Sequence, residues 1–386
     1  MSFISQPSYF PGVRGNQQII GSNAGINASG ANLFLAGSNA GGNSTPANLI
    51  AIGVNALGGG GPGLNGAQQA QFAGSIAIGT NAFAALVGNL GFQAPVLGIG
   101  ANIFKINTAS GNILAIGDNI GAAFEANMQA ANDVFIGQEI LSTFVGQNSG
   151  PAACVFVGSN IMNNGGNGTG QMVGWTVIGN RCAQQWDNLN VVSTGNTLIG
   201  AQVCSTQGCT SPQANTLVGY NVGSQWQTSP QNNVVMGSGA CGDAIASPTN
   251  NVVIGASIAS SGTDRNVFIG YSQTTLGTTS SRNIVLGAGA GQGEASPEND
   301  RLIIETYDGV TQRPLVYGYL ATGNIMLGGW SQANRAQVAT IAGTNQLYLP
   351  NGTVGAGFAT GGGFLYVNAG ALHWKGGATD TVIAPN

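Results

Sequence analysis

The 386-residue chain is short of charge: 6% of its residues are charged, against about 25% in an ordinary domain. Its nine Lys and Arg, spread from Arg14 to Lys375, form no basic patch, which argues against nucleic acid as a partner. There is one histidine, His373, so a nucleophile–base pair or a zinc site has a single imidazole to draw on. The five cysteines, Cys154, Cys182, Cys204, Cys209 and Cys241, are too few and too odd in number for a disulfide framework. They read as small apolar fillers. Long hydrophobic runs are missing as well. Apolar residues come in threes and fours, far short of the roughly 20 of a membrane span, so no membrane insertion is expected. The opening, Met1 to Pro11, has neither the basic start nor the apolar core of a signal peptide, and synthesis in a cytoplasm without secretion is expected.

What is abundant is glycine, 65 residues, beside 43% hydrophobic residues. A disordered linker would be poor in apolar residues, and collagen would show a strict glycine at every third place. The glycines instead punctuate a phrase that returns along the chain: Asn196-Thr-Leu-Ile-Gly200, Asn215-Thr-Leu-Val-Gly219, Asn233-Val-Val-Met-Gly237, Asn251-Val-Val-Ile-Gly255, Asn266-Val-Phe-Ile-Gly270 and Asn283-Ile-Val-Leu-Gly287. Earlier copies end on Gly21, Gly37, Gly53, Gly79, Gly100, Gly117, Gly137, Gly158 and Gly179, with intervals of 15 to 26 residues throughout. The residue before each glycine is apolar, and the third residue after it is small or apolar except at Gln273. One structural unit stacked many times is the reading such a period supports.

Alternate residues of a strand point to opposite faces. Val252 and Ile254 therefore face one way and Val253 the other, and all three are apolar. One face can fill the interior of a coil, and the other needs a cover, which further copies of the chain would supply. The expected fold is all-β: an elongated parallel β-helix or β-roll solenoid forming an intertwined or side-by-side homotrimer, with a small β-rich C-terminal module. The middle strand position is small early (Ala51, Ala77, Gly98, Ala115) and bulky later (Phe135, Phe156), which predicts a tight interior at one end and a wider one further on. The glycine is expected where a Cβ would clash or φ is positive, and the Asn either ladders between rungs or closes a turn.

Four regions follow. Residues 1–20 are a lead-in whose Phe3, Tyr9 and Phe10 either pack on the first rung or dock on a partner. Residues 21–293 are the repeats. Residues 294–330 form a β-hairpin or three-strand module with Asp308-Gly309 as a turn. Residues 331–386 are a connector and a β tip.

Two stretches resemble known families. The phrase Asn-Val-Val-Ile-Gly resembles the head repeats of trimeric adhesins, which form left-handed parallel β-rolls in threefold assemblies. Residues 299–328, with Leu302-Ile-Ile304 and Pro314-Leu-Val-Tyr-Gly318, are similar to C-terminal segments of bacteriophage virion fibre and tail proteins, as are Gly363 to Leu372 and Thr381 to Pro385. The resemblance implies a trimeric structural fibre of a virion, on tail or head. One end would attach to capsid, portal or tail proteins, and the fibre would take part in host adhesion, with a host glycan as a further partner. In that reading Phe3, Tyr9 and Phe10 are the attachment candidates.

The alternatives are a glycan-degrading tailspike and a bacterial trimeric adhesin. A spike needs two carboxylates within about 5–10 Å, and Asp118, Glu125, Asp133 and Glu139 are the acids placed to supply them. With thirteen acids along a long rod, chance neighbours are expected, so no enzyme, metal or cofactor is assigned. The densest acidic run, Glu294, Glu298, Asp300, Glu305 and Asp308, reads as a solvated turn. Trp186 and Trp226 each lie seven residues after a rung glycine in amide-rich loops. Each is a candidate to stack on a sugar, against the plainer and favoured reading of a lid over its own rung.

Overall fold

The computed structural model describes residues 17–25, 32–41, 48–57, 74–82, 96–103, 112–120, 132–140, 152–161, 172–182, 193–204, 212–224, 226, 230–241, 248–258, 264–273, 280–291, 299–307, 312–321, 324–327, 336–339, 364–368, 371–375 and 380–384. These residues contain strands and turns and no helix. The first eight strands are β1 (Gln17–Ile20), β2 (Leu33–Ala36), β3 (Leu49–Ile52), β4 (Ile76–Ile78), β5 (Val96–Ala101), β6 (Ile113–Asp118), β7 (Val134–Gln138) and β8 (Val155–Ser159). The next ten are β9 (Met172–Val173), β10 (Thr176–Asn180), β11 (Ser193–Thr194), β12 (Thr197–Ala201), β13 (Thr216–Tyr220), β14 (Val234–Ser238), β15 (Val252–Ala256), β16 (Val267–Tyr271), β17 (Ile284–Leu286) and β18 (Arg301–Tyr307).

Apart from β9 and β11, each strand pairs in parallel with the next copy of itself, from β1 to β18. The register aligns glycine with glycine: Gly117 lies opposite Gly137, and Gly137 opposite Gly158. The protein is a parallel β-solenoid. The ladder begins at Gln17, inside the expected lead-in, so the first rung starts four residues before its glycine.

The glycine column is set by contact. All fifteen rung glycines, Gly21 to Gly287, have φ between +123° and +157°. A Cβ at Gly137 would lie 1.6 Å from the carbonyl oxygen of Gly158, and the same collision recurs up the stack. No side chain can yield to relieve it, because both partners are backbone. The last stacked position is Glu305, whose carbonyl faces Gly287. There the parallel ladder stops and the chain reverses. β19 (Gln312–Tyr319), β20 (Asn324–Leu327) and β21 (Ala336–Ala339) add antiparallel to β18, with a register shift between Ile304 and Glu305. The sheet is thus continuous across residue 293, and β21 belongs to it although the sequence placed it in a connector. A separate antiparallel sheet holds β22 (Phe364–Asn368), β23 (Ala371–Lys375) and β24 (Asp380–Ala384).

The rungs have two corners with left-handed backbone, the first lying among the described residues in all but the rungs of Gly21 and Gly100. The first stands just before the buried residue that leads into the strand, and the second two places after the glycine. Asn tolerates this conformation better than other non-glycine residues. It fills first corners at Asn32, Asn48, Asn112 and Asn132, and second corners at Asn23, Asn39, Asn55, Asn81, Asn102 and Asn119.

Three residues per rung point inward: the one before the strand, the middle strand residue, and the one after the second corner. In one rung these are Leu49, Ala51 and Ala56, in another Asp133, Phe135 and Ile140, and in a third Trp175, Val177 and Cys182. Small middle residues therefore accompany large pre-strand ones, and the reverse holds at Phe135 and Phe156. These two rings stack with centroids 5.6 Å apart. The expected narrow-to-wide gradient is present in the middle column from Ala51 to Phe156; the pre-strand column offsets it at Asp133 and Cys154, and the post-corner column follows it, from Ala40, Ala56 and Ala82 to Ile140 and Ile161.

Candidate interaction surface

The structure assigns the two faces of the strand that the sequence left open. The middle column, from Leu35 to Val285, is buried. The flanking residues point outward, as in Val252 and Ile254 around Val253. Across fifteen rungs, the two flanking columns and the column just after the glycine carry a single charged residue, Asp118. The column before the glycine is aliphatic or Met in every rung.

Fifteen rungs at about 4.8 Å spacing extend roughly 67 Å, and four residues of strand span about 13 Å, so this face covers roughly 900 Å². That exceeds the ~300–600 Å² of the largest apolar patch on a typical monomer. In the column before the glycine, Ile20 of the first rung is 61% exposed, and Met236 and Ile254 further on are 41% and 37% exposed. Leu302 and Ile304 continue the face onto β18, and antiparallel pairing sets Gly318 and Val316 beside them and Ile325 and Leu327 beyond.

Behind this face runs a polar column of pre-strand residues. The buried amides Asn196, Asn215, Asn233, Asn251, Asn266 and Asn283 stack in succession. Asn233 Nδ2 donates to Asn215 Oδ1 (2.9 Å) and to Pro248 O (2.7 Å), while its own Oδ1 accepts from the Nδ2 and the backbone N–H of Asn251 (both 3.0 Å). All four hydrogen-bonding places of that amide are filled, and the side chain is fully buried. Arg301 N–H closes the top of the ladder on Asn283 Oδ1. Below Asn196 other residues repeat the same bonds. Trp175 Nε1 donates to Ser193 O, Cys154 Sγ to Met172 O, and Asp133 Oδ1 accepts from Cys154 N–H. From Met172 on, the carbonyl two places ahead of the first corner accepts from Cys154, Trp175, Asn196, Asn215, Asn233 or Asn266, and Met172 O, Pro230 O and Pro248 O accept a backbone N–H as well. A second short parallel ladder, β9 with β11 and then bridges from Thr194 to Ser281, marks the same stretch.

Of the carboxylates proposed from sequence, Asp133 stands apart, while Asp118 and Glu139 are neighbours on successive rungs. Asp133 is buried in the pre-strand column. Asp118 and Glu139 sit at the far end of the strand, where Glu139 N–H donates to Asp118 O. Five residues of extended chain separate Asp133 from the place opposite Asp118, roughly 16 Å, beyond the range for a glycosidase pair. A cleft of about 430 Å³ opens over Ile76, Leu97, Leu114 and Val134. Gly74 and, of the candidate acids, Asp133 are among its lining residues, and neither Asp118 nor Glu139 lines it. Glu125 lies outside the described residues. No group of His, Cys, Asp and Glu suited to a metal occurs among the described residues.

Trp226 is 1% exposed, and its ring covers Gly223. A buried ring offers no face to a sugar, so Trp226 is the lid of its own rung and is withdrawn as a glycan platform. Trp186, Phe3, Tyr9 and Phe10 lie outside the described residues. The large exposed aromatics of the rungs are Tyr220 and Tyr271, both one place after a rung glycine. Sequence reasoning missed them. The available signal was size, because the other rungs carry Ser, Ala, Thr, Val, Asp, Gln or Asn there.

The four described cysteines are buried and form no disulfide among the described residues. Burial pushes the Cys154 thiol up to about 12, with the nearby Asp133 charge acting in the same direction, and pushes Cys182 up to about 11. All four are buried apolar fillers, as the sequence suggested. The chain matches no protein-family model, no curated protein and no solved structure.

Proposed function

We propose that the protein is a homotrimeric structural fibre of a bacteriophage virion, projecting from tail or head and taking part in adhesion to the host surface. The observation that carries the reading is the outward sheet face. A surface of roughly 900 Å² whose two flanking columns carry no charge is about what each partner contributes to a stable protein–protein interface (~800 Å²). Left in water, it would be an aggregation liability. Copies of the same chain are the economical cover, since the face repeats at the rung spacing and a parallel copy meets it in register along its whole length. The virion assignment rests on the likeness of residues 299–328 and 363–385 to phage fibre and tail segments. A stack of self-similar rungs also suits a rod whose work is to hold distance. The partners at the attached end would be capsid, portal or tail proteins.

Two measurements test this. Multi-angle light scattering of the purified chain should return three times the 38.6 kDa chain mass, and a folded monomer would sink the trimer. Gold-labelled antibody on virions should mark projecting fibres in electron micrographs. Label confined to host cells would refute the virion assignment.

A further inference from the structure

Tyr220 and Tyr271 are the most exposed aromatic side chains of the rungs, at 55% and 62%. Both follow a rung glycine, so they stand past the bend and not within the strand's flanking columns. In register, Tyr220 lies between Ala201 and Ser238, and Tyr271 follows Ala256. Ala288 holds the next place above. Small neighbours on either side leave both faces of each ring open. Three rung steps of about 4.8 Å put the rings roughly 14 Å apart, with only Ser238 and Ala256 between them in the column. Alongside runs the second-corner column, here Gln202, Asn221, Gly239, Ser257, Ser272 and Gly289. It offers amides and hydroxyls, and neither column carries a charge over this stretch.

We propose that Tyr220 and Tyr271 bracket a shallow trough that binds a neutral oligosaccharide lying along the stacking direction. A pyranose presents an apolar face of C–H groups to an aromatic ring and hydroxyls at its rim. The trough supplies rings at its two ends and uncharged donors and acceptors along its side. The length of one sugar unit is close to one rung step, so successive sugars meet equivalent positions. Acidic polymers are disfavoured, because no Lys or Arg in either column can pair with their charges. The inference rests on the adhesive half of the function proposed above and names its ligand class.

The test uses the full chain and three probes: neutral tetrasaccharides of β1,4-N-acetylglucosamine, β1,4-glucose and α1,4-glucose. Saturation-transfer NMR should show at least one binding. The double variant Tyr220→Ser/Tyr271→Ser should weaken that affinity about tenfold or more, with each single variant intermediate, while particle mass and far-UV circular dichroism stay unchanged. Three results overturn it: no probe binds, the double variant binds as wild type does, or the double variant lowers the particle mass, which would make the tyrosines contacts between copies. Sugar binding by a chain that proves monomeric would uphold the trough and remove the trimeric fibre, so the two readings fail separately.

Discussion

The rungs from Gly21 to Gly117 and those from Gly200 to Gly287 share a backbone and differ in where they keep their amides. In the first group the pre-strand residue is apolar at Leu33, Leu49 and Ile113, and the asparagine ladder runs along the second corner. There Asn39, Asn55, Asn81, Asn102 and Asn119 bond in sequence at 3.0–3.1 Å, half-buried. In the second group the ladder has moved inside, to Asn196–Asn283, and the second corner carries Gln202, Asn221, Gly239, Ser257, Ser272 and Gly289. The exchange begins at Asp133, Cys154 and Trp175, just where carbonyls ahead of the first corner begin to accept from side chains of this column. The lesson is about cost. A half-buried amide on a corner can fall back on water, so losing one is tolerable. A buried ladder is strong only when complete, because each missing member strands donors and acceptors above and below it.

That contrast can be broken by substitution. The largest effect should be one the two regions share. Gly137→Ala or Gly237→Ala sets a Cβ 1.6 Å from a carbonyl and should cost more than ~4 kcal/mol, read as loss of a cooperative melt. If either variant melts within a few degrees of wild type, the stacking geometry is not as described.

Next come the columns themselves. Asn233→Leu removes the acceptor for Asn251 and the donor for Pro248, and should cost about 2–5 kcal/mol by denaturant titration. Asn55→Gly, which keeps the left-handed corner while removing the half-buried amide, should cost no more than about 1 kcal/mol. Equal costs would erase the distinction between the regions. Phe135→Ala, at the border where the interior is widest in its middle column, should cost about 3–5 kcal/mol.

The outward face gives a softer test. Ile254→Asp, at an exposed position, should leave the circular dichroism of the chain intact while lowering the mass of the particle. An unchanged mass would leave the face without its proposed cover.

The smallest expected effect lies at the exposed ion pair of Arg282 and Asp300, with Nε–Oδ1 2.6 Å. The hydrogen bond from Arg282 holds the Asp300 carboxyl below its ordinary value. A carboxyl lowered on folding adds stability that is complete above the ordinary carboxylate range and fades as pH falls through its folded value. Asp300→Asn should remove only that acid-side slope, in a pair that solvent largely screens.

Much of this was legible in the residues. The period, the glycine that admits no Cβ, the laddering Asn and the inward residue after the second corner all repeat, and a feature forced on every rung leaves a trace in every copy. Gln273 broke the pattern visibly, and the structure gives its reason: its Nε2 donates to the carbonyls of Ile269 and Gly287 in the interior. What did not repeat was hard to read. Trp226, among Gln and Ser, left a sugar platform open beside the favoured lid, and the structure bears out the lid, with the ring down on Gly223. Stacked rungs could bring acids such as Asp133 and Glu139 together, but a strand lies between these two, and an extended strand keeps its ends apart.

The chain on its own determined a stack of short parallel strands around a column of glycine, because backbone collision and left-handed corners allow few residue types and the sequence obeys them in each rung. Only the tertiary structure decided which strand face is inside. Val252, Val253 and Ile254 are all apolar, so hydropathy cannot choose between them. The choice falls to the coil's cross-section, which has room for the middle residue and turns its two neighbours outward.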